Sequence, residues 1–302
     1  MAVRELSATP SMARMFGRAS LAMIPGASRL PFVSGGGGAD PELPDLTLVL
    51  NEVAVDRDRL ALYDRVCGFP LRDQLPPTYP HVLAFPLHVA LLTDGSFPFS
   101  PIGLVHLYNR IVQHRPIRAS EPLSLRVSAG MIAPHSRGIR FSILTEARVG
   151  DELVWEEVST NLRRGNGGSH DDGSHPTKVA STADLPATAT WKLPGDLGRR
   201  YGSVSGDLNP IHLHPLTARL FGFGTAIAHG MWTKARCLAA LEPELPPAFT
   251  VEAGFRRPIL LPATVEFAEA PAPSSADGGG IAFGVRGISH ETRHLDGLVS
   301  FA

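Results

Sequence analysis

The stretch Tyr201-Gly202-Ser203-Val204-Ser205-Gly206-Asp207-Leu208-Asn209-Pro210-Ile211-His212-Leu213-His214-Pro215 decides how this chain is read. Between Asp207 and His214 it gathers an acid, an amide and two imidazoles. Pro210 and Pro215 fix backbone dihedrals there, and Gly206 permits a tight bend just before the acid. Asn209 followed by Pro210 is a turn or helix-start signal. Asp207 and His212 supply two titratable groups with ordinary pKa values of about 3.9 and 6.5. Burial shifts both, so one can act as base and the other as acid near neutral pH. The same residue types also suit a capping loop, in which Asp207 and Asn209 satisfy backbone donors. At this point both readings stand.

Downstream, Phe221–Met231 leads into an apolar run, Ala226–Leu241. Ile227, Met231, Ala235, Leu238 and Ala239 recur at near-helical spacing with Trp232 alongside. Such a helix, apolar on most faces, belongs in the interior. A curved antiparallel sheet wrapped around it would bury it. N–H groups in a helix's first turn lack intrahelical acceptors, and can hold a developing oxyanion. Gly230 offers one with no side chain in the way, although a glycine there also allows close packing.

The first half of the chain looks like the second. Val82–Leu92 is its apolar helix-like run. The tetrad His114-Arg115-Pro116-Ile117 matches Arg256-Arg257-Pro258-Ile259 at an offset of 142 residues. Strand-like runs then follow in each half. They are Leu123–Ser128, Arg140–Glu146 and Leu153–Thr160 in the first, and Thr264–Ala268, Ala282–Ile288 and Leu295–Phe301 in the second. Two copies of one α+β domain account for this pattern. The expected division is an N-terminal extension over 1–43, a first domain over 44–163, a linker over 164–190 and a second domain over 191–302. Joints are expected at Ser34–Gly38 and in the polar, glycine-rich Arg164–Pro176.

Composition excludes several classes. With 28 Lys and Arg against 29 Asp and Glu, the net charge is −1, which lacks the basic footprint of a nucleic-acid binder. A hydrophobic share of 43% argues against a disordered chain. Two cysteines, Cys67 and Cys237, make neither a disulfide framework nor a cysteine-rich zinc site, and suit a reducing, cytoplasmic setting. No apolar run approaches the roughly 18–20 residues that span a bilayer. Gly202-Ser203-Val204-Ser205-Gly206 has Val204 at its centre and fails as a nucleophile elbow. Gly222-Phe223-Gly224 lacks the third glycine of a dinucleotide site. A metal held by Asp207, His212 and His214 is a rival, but Leu213-His214-Pro215 reads as a turn into a helix. His81, His106 and His135 carry no reading beyond ordinary surface or core.

Ser205-Gly206-Asp207-Leu208-Asn209-Pro210-Ile211-His212, preceded by Tyr201, resembles the signature of the MaoC-like, or hydratase 2, family. Ala228-His229-Gly230-Met231 resembles that family's helix entry. The size and two-copy layout are similar to actinobacterial double-hotdog 3-hydroxyacyl-thioester dehydratases. The resemblance implies an α+β double hotdog fold and (R)-specific enoyl-CoA hydratase or 3-hydroxyacyl-thioester dehydratase activity. It makes Asp207 and His212 the catalytic pair around one water, and gives the Gly230 N–H the thioester carbonyl. Asn209 would help order the loop and the water, and Asn209 and Gly206 are expected to bind substrate. It implies no metal or other cofactor and an acyl-CoA or acyl-carrier-protein thioester as substrate; the sheet edges that the expected layout leaves open would favour further pairing, so a homodimer is expected. The first half has no Asp-x-Asn-Pro-x-His string in Tyr63–Pro70. Its equivalent of Gly230 is expected at Pro86 or a neighbour, where proline has no N–H to offer. One site per chain is therefore expected, with the degenerate half making room for the acyl tail. Arg256, Arg257, His114 and Arg115 are candidate phosphate contacts. An inactive thioester-binding subunit and a hotdog thioesterase are the alternatives.

Overall fold

The computed structural model describes residues 2–12, 15, 41–101, 103–165, 179–272, 279–290 and 292–301. The Ser34–Gly38 joint and most of the glycine-rich Arg164–Pro176 joint lie outside the described residues. The first half begins with β2 (Leu46–Val53), α1 (Arg57–Cys67) and α2 (Tyr79–Leu92). It continues through β3 (Val105–Gln113), β4 (Leu123–His135), β5 (Gly138–Val149) and β6 (Glu152–Arg164). The second half opens with β7 (Ala187–Leu193), α3 (Leu197–Ser205), α4 (Pro210–Leu213) and α5 (Pro215–Leu220). Then come α6 (Gly230–Leu241), β8 (Phe249–Phe255), β9 (Ala263–Ala272), β10 (Gly280–Gly287) and β11 (Arg293–Phe301). A short β1 (Ala2–Glu5) pairs in parallel with β2.

All these strands form one sheet in the order β1-β2-β4-β5-β6-β3-β8-β11-β10-β9-β7. Leaving β1 aside, in both halves the first strand (β2, β7) lies farthest from the seam and the second (β3, β8) lies at it. The repeated order makes each half one hotdog, as the sequence resemblance implies. At the seam β3 and β8 pair antiparallel, with Arg110 opposite Glu252. These two are also 142 residues apart, the offset of the sequence repeat. A pseudo-two-fold axis therefore passes through this pair.

The two central helices, α2 and α6, are buried because they are apolar nearly all round. In α2 every residue except Phe85 and Ala90 is buried. Strands supply the facing apolar side chains by alternation: Leu123, Leu125 and Val127 of β4 are buried, while Ser124 and Arg126 between them are only partly covered. The six strand runs expected from sequence lie within β4, β5, β6, β9, β10 and β11, apart from Ile288, just past β10. Ala226–His229, expected as helix, precede α6, whose cap His229 is extended. Two boundaries move. Ala2–Glu5, in the expected extension, is an edge strand. Ala187, in the expected linker, begins β7, because Ala187–Leu193 pairs with β9. The helix equivalent of Gly230 also moves. Pro86 lies mid-helix, and the proline in the first turn of α2 is Pro80. The first residue of α2, the place Gly230 holds in α6, is Tyr79, whose N–H is taken by the Pro76 carbonyl at 2.8 Å.

Polar groups thread the interior between the halves. His81 Nδ1 lies 2.9 Å from Glu157, and Asn109 donates to Glu157 Oε1 at 2.6 Å. The Lys234 ammonium of α6 donates to Asn109 Oδ1 at 2.5 Å and to the Val251 carbonyl at 3.2 Å. It thus ties the second helix to both seam strands. His88 Nε2 meets Thr145 Oγ1 at 2.7 Å. Burial, which penalises charge, holds His88 down at about 3 and brings Lys234 down to about 7.

Two outcomes follow from this packing. Below about pH 6.5 the unfolded chain takes up a proton on His88 and the folded protein does not. Stability is lost as pH falls from there towards 3, by about 2 kcal/mol for this group at pH 5. Urea unfolding at pH 7 and pH 5 should show the midpoint dropping in acid; equal midpoints would contradict the assignment. Separately, a Cβ on Gly198 of α3 would lie 1.9 Å from the backbone oxygen of His212. Gly198→Ala should therefore cost about 1–3 kcal/mol in thermal or urea unfolding.

Candidate active site

The loop after α3 is built by backbone capping. Gly206 ends α3 in the left-handed region, φ +83°, its N–H bonded to the Gly202 carbonyl. That turn carries the chain into Asp207, whose Oδ1 accepts the Asn209 N–H at 3.0 Å. Asn209 caps α4, its side chain accepting from the Ile211 N–H. The loop caps in the way the sequence allows, and the same cap sets Asp207 in place. One helical turn later His212 is buried. Its Nδ1–H donates to the Ile227 carbonyl at 2.9 Å, leaving a lone pair at Nε2. Burial lowers His212 below the ordinary imidazole value, against the opposing pull of Asp207 and the Ile227 bond. Burial thus favours the neutral ring, whose Nε2 carries the lone pair.

His229 completes the cluster. Sequence reading quoted it at the helix entry without giving it a role. Its ring stacks on His212 with centroids 3.7 Å apart. Its Nε2 lies 3.2 Å from the Asp207 carbonyl and 3.8 Å from Asp207 Oδ2. Burial and the neighbouring His212 push it down to about 3, so it too is neutral. Its Nδ1 is buried without a hydrogen-bond partner. Gly230 follows as the first residue of α6, so its N–H is free of intrahelical bonding. A Cβ at Gly230 would press on the Phe255 ring at 3.0 Å.

Asp207, Asn209, His212, His229 and Gly230 line one cavity of about 270 Å³. Gly206, expected near substrate, caps α3 and is not among the lining residues. The far wall comes from the first half, through Phe85, Val89, Leu92, Leu104 and Ile143. His81 and His88, without a role in the sequence reading, line it too.

His214 is exposed and caps α5, accepting the Leu216 N–H at 3.2 Å. The metal triad expected as a rival is thus not assembled. The donor atoms of Asp207, His212 and His229 lie within 4.8 Å of one another, as do those of His81, His88 and Glu157. In the second group the donors already bond one another or Thr145, and the Lys234 ammonium couples electrostatically to Glu157. A cation there would meet that charge. Among the candidate phosphate contacts, Arg256 is tied to Asp296 at 2.6 Å and Arg257 is exposed on the cavity lining. His114 and Arg115 are ion-paired to Glu156 and Glu152 and are not among the lining residues.

Residues 176–270 match the model of the MaoC like domain. The 3-hydroxyacyl-thioester dehydratase X of Mycobacterium tuberculosis is 37% identical over 223 residues, 74% of this chain and 79% of the relative. The crystal structure of HtdX from the same organism aligns at 34% identity with a TM-score of 0.73, covering 84% of this chain and 98% of that one. A further M. tuberculosis protein, described as a double hotdog, is 14% identical with a TM-score of 0.52, covering 83% and 94%. That last likeness bears on the fold alone. Signature loop, helix entry and whole-chain similarity agree, and the chain belongs to the MaoC-like dehydratases, a family of hydro-lyases.

Proposed function

We propose that this enzyme interconverts trans-2-enoyl and (3R)-hydroxyacyl thioesters in fatty-acid metabolism, with Asp207 and His212 moving the protons. The supporting observation is the placement of both side chains on one cavity beside the first turn of α6. In dehydration the pair takes the C2 proton. Negative charge builds on the thioester oxygen and is held by the Gly230 N–H. The C3–O bond then breaks, and the departing hydroxyl takes a proton from the pair and leaves as water. Hydration runs the same path backwards. Asn209 holds the loop, and His229 packs over the His212 ring. The (3R) outcome follows the family resemblance.

The thioester arrives on CoA or acyl-carrier protein, with Arg257 on the cavity lining available for carrier phosphates. Its acyl chain runs along the first-half wall. β1 and β7 are the outermost strands, and pairing there would give the proposed homodimer. No helix among the described residues is long and apolar enough to cross a membrane. We place the activity in the cytoplasm on cysteine usage.

Hydration of crotonyl- to long-chain enoyl-CoA, followed by the loss of enoyl thioester absorbance with chiral product analysis, tests the proposal. Asp207→Asn and His212→Ala should each reduce kcat by about 10²–10⁴ with the fold intact by circular dichroism. Turnover near the parent rate in either folded variant would remove that residue from the mechanism. Release of free CoA thiol would instead indicate a thioesterase, and binding without turnover an inactive subunit. Because burial holds His212 low, the acid limb of the kcat/KM profile should fall below pH 6.5. A limb above that value would point to a different base.

A further inference from the structure

The wall that faces the acyl chain is not purely hydrocarbon. His81 and His88 of α2, His106 of β3, and Ser159 and Asn161 of β6 line the same cavity as the catalytic loop. Several of these groups are bonded to one another or to Thr145, but one that is not would be stripped of water by an alkyl chain that replaces no hydrogen bond. His81 is the sharpest case. Its Nδ1 is committed to Glu157 at 2.9 Å, and the side chain keeps 9% of its surface exposed on the cavity it lines.

Glu157 fixes the direction of that bond. Burial works to raise its carboxyl, but His81, His88 and Asn109 outweigh it and hold it down at about 2. An ionised carboxylate only accepts, so His81 donates from Nδ1. Nε2 is left over, and it takes part in none of the hydrogen bonds described above. A hydroxyl both donates and accepts, so it can meet this nitrogen whether or not the ring is protonated. A methylene can do neither. His106 Nε2 is already held by Ser159 at 2.9 Å, and His88 Nε2 by Thr145. His81 Nε2 is thus a ring nitrogen on this first-half wall that none of the described hydrogen bonds uses.

We propose that the first-half wall selects acyl chains carrying a hydroxyl group in their distal part, which bonds His81 Nε2. This rests on the thioester reading of the cavity, and names the substrate class within it. It gives the non-catalytic half a recognition role beyond making room for the tail.

The test uses saturated acyl-CoAs, which bind without being turned over and so separate it from the hydratase reading. Lauroyl-CoA is compared by calorimetry with its monohydroxylated isomers, the hydroxyl placed successively along the distal half of the chain. At least one isomer should bind the full chain about tenfold more tightly than lauroyl-CoA. His81→Asn keeps an amide near the Nδ1 position, which preserves the Glu157 contact, and removes the Nε2 position. It should bring the favoured isomer back to the affinity of lauroyl-CoA. His81→Gln, which retains a polar atom near Nε2, should keep part of the preference. Equal or weaker binding of every isomer would overturn the proposal. So would a preference that survives His81→Asn in a folded protein.

Discussion

Strands β3 and β8 exchange a ladder running from Tyr108 opposite Gly254 to Gln113 opposite Phe249. That pairing joins two sheets that would otherwise each end in an open edge, and it fixes where α2 and α6 stand relative to one another. The cavity exists because of it. The end that holds Asp207 and His212 is built from the segment between α3 and α6, and its wall from α2 and the strands of the other half. Lys234 reinforces the arrangement from inside, reaching Asn109 on one seam strand and the Val251 carbonyl on the other. A buried ammonium that fully used its donors only across the seam would be costly in either half alone.

Much of the interior is polar for a reason that differs between the two ends of the cavity. At the catalytic end, His212 and His229 are stacked and buried, and burial removes their charge. A neutral ring keeps the lone pair that the proposed proton abstraction needs. At the other end the Glu157 carboxyl is held low, against burial, by its contacts with His81 and Asn109. Similar residue types thus occupy opposite electrostatic settings within one cavity. The difference lies in what each faces: a backbone carbonyl for His212, a buried carboxylate for His81.

The fold was legible where one element imposes its own pattern. The Ala226–Leu241 run, the repeated tetrad and the alternating strand segments announce a duplicated helix-in-sheet domain. The Asp207–His212 string is local in sequence, and its geometry follows from a cap and a single helical turn. What stayed hidden depends on tertiary pairing. Ala2–Glu5 is a strand only because β2 offers it an edge, and Ala187 extends β7 because β9 lies beside it. His81 and Glu157 are 76 residues apart and meet only when β6 passes under α2. The pairing of His229 with His212 was nearer the surface of the sequence. An imidazole at the first cap of a buried helix, directly before Gly230, is an unusual placement that could have flagged it.

The register partners Arg110 and Glu252 occupy equivalent positions in the two copies. If either half associated with a second molecule of itself through the same ladder, identical charges would sit face to face at the centre, which disfavours strand pairing. Opposite charges at that point favour the mixed arrangement. The seam therefore carries an instruction about which surface joins which. Divergence at one crossing point favours the pairing of each half with the other, which on the proposed function leaves one to keep the chemistry and the other to shape the chamber.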